Sequence, residues 1–183
     1  MIMKFFLTLS AFLIATFLPI TSVGAAPVPL TDAKIENIRQ NCLSAQVVLQ
    51  RIQRSDAATR VNRGQVYEVI LTRLMSPFNG RLAFNRLDEA STFTATTKKY
   101  EQAVDTFKED YAAYEDSLSN VLKMKCQNQP VTFYDTLTAT REARALVAKD
   151  IDEISKILQE YNSLVNVLQK SLPQNGNAVT GDR

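Results

Sequence analysis

The chain has 183 residues and a mass of 20.5 kDa, with 21 Lys and Arg against 19 Asp and Glu, two Cys, no His and no Trp. The lack of His excludes a His-based triad, His-ligated zinc or haem, and an H-E-x-x-H helix. Two Cys cannot build a Cys-rich zinc knuckle or a dense disulfide scaffold, and near-neutral charge argues against a dedicated nucleic-acid binder.

The N-terminus reads as a secretory signal. Lys4 supplies a positive start, and Phe5 to Leu18 form an uncharged run rich in Phe, Leu, Ile and Ala. Pro19 breaks the run, and Val23 and Ala25 are small enough for the minus-three and minus-one sites of cleavage. The apolar run is shorter than the roughly 20 residues of a spanning helix. Cleavage after residue 25 is therefore expected, with an uncleaved membrane anchor as the alternative. Residues 26–170 then form one domain, in an oxidising compartment.

The first helical stretch is expected after Thr31, a suitable N-cap. Ile35, Ile38, Cys42, Ala45, Leu49 and Ile52 follow a four–three spacing, which continues into the polar Asp56, Thr59 and Arg63 before Val66 and Ile70. Ser76-Pro77 predicts a stop followed by a new N-cap and first helical residue, with a short corner helix over 77–85. Phe93, Tyr100, Phe107, Tyr114 and Val121 then repeat every seven residues, predicting a helix over 86–125. From Phe133 to Leu168 a further heptad seam predicts a helix over 131–170, about 60 Å long. Thr140 and Arg144 interrupt that seam. Residues 171–183 carry Pro, Gly and polar residues without periodicity and read as a disordered tail.

The fold expected is all-α: an elongated, antiparallel, coiled-coil-like three-helix bundle with a short corner helix. A four-helix bundle, completed by a longer 77–85 helix or by a partner chain, is the runner-up. In the antiparallel arrangement Cys42 and Cys126 fall at the same end. A disulfide between them would close a loop of roughly 84 residues, worth about 4 kcal/mol by chain entropy. The same arrangement puts Arg144 level with Asp56 and Thr59, and near Tyr111 and Tyr114. This predicts a polar layer of Asp56, Thr59, Thr140, Arg144 and a Tyr hydroxyl, with Arg63 about two turns on. Such a layer sets helix register, leaves Arg144 snorkelling to solvent, or offers a small anion a pocket.

Charge is segregated. Arg51 to Arg86 holds seven Arg against Asp56 and Glu68, and Glu101 to Asp116 holds six acids against Lys108. Either neighbouring helices complement each other, or an Arg-rich end containing Arg73, Arg81 and Arg86 faces an anionic partner. No Walker loop, G-x-S-x-G, EF-hand loop or N-x-[ST] acceptor occurs.

Residues 56–65, Leu74 to Asn79, Cys126 and Pro130 to Tyr134 resemble uncharacterised exported helical proteins of small-genome bacteria. The resemblance implies bacterial export and a helical fold, and carries over no catalytic or binding residue. The combined expectation is an exported, non-enzymatic helical bundle acting as an interaction or structural module of the cell envelope. No metal, cofactor or nucleic acid is expected. Its partner would be a protein or another envelope component, with an anionic polymer or lipid also open. The alternative is a holdase-like or anionic-ligand-binding envelope protein, using the Arg-rich end or the polar layer. Any enzyme would have to rest on Asp56, Arg144 and a Tyr.

Overall fold

The computed structural model describes residues 30–171. The signal segment and the tail from 172 onward lie outside the described residues. Among those described, there is no strand. The elements in order are helix α1 (Asp32–Val69), a π-helical segment (Ile70–Met75), and helices α2 (Ser76–Phe84), α3 (Ala90–Lys123) and α4 (Pro130–Ser171).

Local chemistry explains the boundaries. The Thr31 hydroxyl accepts the Lys34 backbone N–H at 3.4 Å and caps α1. Pro130 opens α4, where its missing N–H would have had no helical partner.

The expected break at Ser76-Pro77 is not a break. Ser76 keeps right-handed helical angles, and Met75 makes no side-chain cap. The chain stays helical and widens instead. The Ser76 N–H bonds the Leu71 carbonyl, five residues back. Pro77 accounts for this, because its ring would clash with the carbonyl four residues earlier in a regular α-helix. A wider turn gives that carbonyl room.

The next helix also starts later than the seam implied, at Ala90 rather than 86. Residues 85–89 are a turn closed by a Schellman pair. Leu87 N–H bonds the Leu82 carbonyl, and Arg86 N–H bonds that of Ala83, each at 3.1 Å. Arg86 occupies the left-handed position with φ 55°. A side chain there costs about 1 kcal/mol that a glycine would avoid.

Burial is uneven. α3 buries Phe93, Thr96, Tyr100, Val104, Phe107, Tyr111, Tyr114, Leu118 and Val121, a three–four stripe along its whole length. α4 answers with residues including Phe133, Leu137, Val147, Ile154 and Ile157. Fully burying a large apolar side chain stabilises by roughly 1.5–3 kcal/mol, so this pair carries most of the apolar stabilisation. α1 buries just Cys42 and Tyr67 among its 38 residues.

The core falls into three clusters. One surrounds Cys42, Cys126, Val121, Phe133 and Leu137. A central one runs from Tyr67 and Tyr100 to Tyr114 and Ile154. The third joins Leu82, Phe93 and Leu168. The sulfurs of Cys42 and Cys126 sit at disulfide-bonding distance, their Cα atoms 5.9 Å apart. No helix among the described residues is long and apolar enough to cross a membrane.

Candidate functional site

Midway along α1 the apolar row gives way to Asp56, whose side chain is 17% exposed. A carboxylate so placed needs partners. It receives three hydrogen bonds. The Tyr114 hydroxyl donates to Oδ2 at 2.8 Å. Arg144 donates from Nε to Oδ2 at 2.8 Å and from Nη2 to Oδ1 at 3.1 Å. This is a two-pronged guanidinium–carboxylate pair, with the geometry that makes Arg preferable to Lys. Each of the three side chains comes from a different long helix.

The electrostatics follow from those bonds. Burial by itself would push the Asp56 carboxyl up. The hydrogen bonds from Arg144 and Tyr114, with the Arg144 charge, outweigh it and hold the group below the usual carboxylate value. The Tyr114 phenol is pushed well above its ordinary range, by burial first and then by the anion it donates to. It stays a donor at any ordinary pH. Arg144 is pushed up, chiefly by its bond to Asp56.

The other expected layer residues separate from this cluster. Tyr111 is buried and makes no hydrogen bond to Asp56. Its ring stands edge-on to Tyr114 at 5.8 Å, and the Arg60 guanidinium lies 5.2 Å above it. Thr59 is exposed and donates to the Ser55 carbonyl of its own helix. Arg63 is exposed and donates to the Tyr67 hydroxyl at 3.3 Å. Thr140 is buried, pairing with Ser117 at 2.7 Å and with the Thr136 carbonyl. Arg73, Arg81 and Arg86 are exposed and make no ion pair among the described residues.

Two clefts flank the Asp56–Arg144 bridge. One, of about 220 Å³, is lined by Asp56, Thr59, Arg60, Arg63, Phe107 and Tyr111 among others, with Val147 and Ile151 from α4. The other, of about 370 Å³, is lined by Leu49, Ile52, Leu118, Leu137 and Thr140 among others. Tyr114 and Arg144 line both, so the bridge is the wall between them. Among the described residues no group of three or more His, Cys, Asp or Glu could hold a metal ion.

Two polar ties escaped the reading of the sequence. Gln46 donates its amide to the carbonyls of Val121 and Met124, each at 3.0 Å, at the end of α3, where the regular helical ladder stops. Its place four residues after Cys42 was the available signal. Asn79 is buried. It donates to the Thr97 hydroxyl at 2.7 Å and to the Phe93 carbonyl at 3.3 Å, and accepts from the Tyr161 hydroxyl at 2.8 Å. Burial pushes the Tyr161 phenol up to about 12. The signal for Asn79 was its position between Met75 and Leu82, on the face those two bury. No family model, no curated protein and no solved structure matches the chain.

Proposed function

We propose that the chain is an exported, non-enzymatic interaction module of the cell envelope. It acts as an elongated antiparallel three-helix bundle that docks an acidic protein partner on its first helical stretch. The resemblance to exported bacterial helical proteins, the Lys4 to Ala25 segment and the Cys42–Cys126 pair support export. The bundle arrangement is supported by contacts in opposed order along the chain: 42 with 126, 46 with 121 and 124, 56 with 114, and 67 with 100.

One observation carries the docking reading. Exposed large apolar side chains concentrate on residues 32–84, at Leu43, Val47, Val48, Val61, Val66, Val69, Leu74 and Phe84, against four on α4 and none on α3. The same stretch exposes Arg51, Arg54, Arg73 and Arg81, and no Lys occurs between Lys34 and Lys98. Exposed apolar residues interleaved with Arg, with Lys absent, match the composition of protein interfaces. A surface tuned for solubility alone would use Lys as freely.

The test is capture from envelope extract. A specific partner should be lost from an Arg73→Glu/Arg81→Glu variant and from Val61→Asp/Val69→Asp, and kept by Arg141→Glu on α4. Equal capture by all variants would remove the interface. Binding that transfers to anionic vesicles or cell-wall polymer alone would replace the protein partner with that anion.

A further inference from the structure

The smaller cleft is built differently from the outer face of α1. Phe107 and Tyr111, both deeply buried, form its floor, and Val147 and Ile151 form a wall. Its volume of about 220 Å³ exceeds the roughly 150 Å³ cavity that admits a benzene ring. A ring with one small substituent fits, and so does a chain of several carbons. The Asp56–Arg144 bridge closes the end toward the larger cleft.

Its arginines have donors to spare. Arg63 uses Nη1 on the Tyr67 hydroxyl, and among the described residues its Nε and Nη2 make no hydrogen bond. Arg144 uses Nε and Nη2 on Asp56, and its Nη1 likewise makes none. Arg60 approaches Glu115 only at 3.6 Å, beyond hydrogen-bond length. The lining holds Arg60, Arg63 and Arg144 against Asp56. Glu115, outside the lining, lies 3.6 Å from Arg60 and offsets its charge, which leaves one positive charge unbalanced. A single anion neutralises it. A dianion would overshoot, with the Asp56 carboxylate in the same lining.

We propose that this cleft binds a small amphipathic monoanion, a carboxylate borne on an aromatic ring or a medium-length alkyl chain. The apolar part lies on Phe107, Val147 and Ile151. The carboxylate takes the unspent guanidinium N–H groups of Arg63 and Arg144, which suit its planar, two-oxygen geometry. This site stands apart from the outer face of α1, and its occupancy does not depend on the docking reading.

Titration calorimetry of the purified protein with phenylacetate and octanoate tests it, with phenethyl alcohol, octanol and inorganic phosphate as comparison probes. The carboxylates should bind at least about tenfold more tightly than the alcohols or phosphate. Arg63 is exposed, so Arg63→Gln should keep the fold, checked by circular dichroism, and weaken carboxylate binding about tenfold. Ala148 lines the cleft from an exposed position. Ala148→Leu should fill the space and abolish binding while leaving thermal unfolding unchanged. No carboxylate binding up to about 10 mM would overturn the proposal, since affinity would then fall below any useful level. So would alcohols binding as well as acids, or full affinity in both variants.

Discussion

The α3–α4 pair and helix α1 are held by different physics. α3 and α4 interdigitate along a continuous stripe, with Tyr100, Val121 and Ile154 fully enclosed. α1, at 38 residues, is longer than α3 and four residues shorter than α4, yet it attaches through separate ties: the Cys42–Cys126 bond, Gln46 on the end of α3, Asp56 on Tyr114 and Arg144, and the Tyr67 carbonyl accepting from Tyr100 at 3.1 Å. An apolar seam is non-directional and grows with area. A covalent bond and a few hydrogen bonds set register and leave space between them. That is why both clefts beside the Asp56–Arg144 bridge lie along α1. Fastened at points, α1 exposes six large apolar side chains, against four on α4 and none on α3.

The largest expected effect comes from cutting the covalent tie. The disulfide spans 84 residues, so Cys42→Ser/Cys126→Ser should lower unfolding free energy by about 4 kcal/mol in denaturant titration. Hydrogen exchange should then speed first across α1. If α3 and α4 lose protection equally, the two regions are one cooperative unit and the contrast fails.

Next comes a pair of matched truncations. Ile154→Ala, at a fully enclosed position, should cost about 3 kcal/mol. Leu43→Ala, 54% exposed on α1, should stay within about 0.5 kcal/mol. Similar losses at both sites would mean that α1 is seamed after all.

The smallest effect is in pH, and it has opposite signs in the two regions. Asp56 has a native pKa below its usual 3.8. Its pairing contributes stability above that value and is lost as pH falls through the lowered native one. Asp150, between α3 and α4, has a buried Oδ2 without a hydrogen-bond partner. Burial, and then the Asp110 charge, push it up. Its ionisation therefore costs stability as pH rises from the usual value through the raised native one. In melting curves, Asp150→Asn should stabilise near neutral pH and lose that advantage by about pH 3. Asp56→Asn should destabilise near neutral pH, and that difference should shrink on acidification.

The helical class was legible in the sequence because it rests on strongly patterned signals, and the cysteine pair because the antiparallel reading puts the chain's two Cys at the same end. Seven-residue repeats through Phe93, Tyr100, Phe107, Tyr114 and Val121 leave no other regular structure for those residues. Ser76-Pro77 misled because proline has two remedies for its clash with the carbonyl four residues back. It can end the helix or widen the turn, and the local sequence does not choose between them. Arg86 in a left-handed turn was equally hidden, since glycine is the usual residue there.

The candidate site divides the same way. The polar character of Asp56, Thr59, Thr140 and Arg144 within apolar rows is a property of the sequence alone. Their fates are not. Asp56 and Arg144 meet, whereas Thr59 turns back to its own helix and Thr140 finds Ser117. Gln46 and Asn79 matter through acceptors and donors on other helices, 75 residues and more away for Gln46 and 82 away for Tyr161. Periodicity determines which face of a helix is apolar, because side chains repeat every 3.6 residues wherever the helix lies. Which polar groups pair depends on ångström-scale distance and angle between helices. That geometry exists only once α1 has been set against α3 and α4.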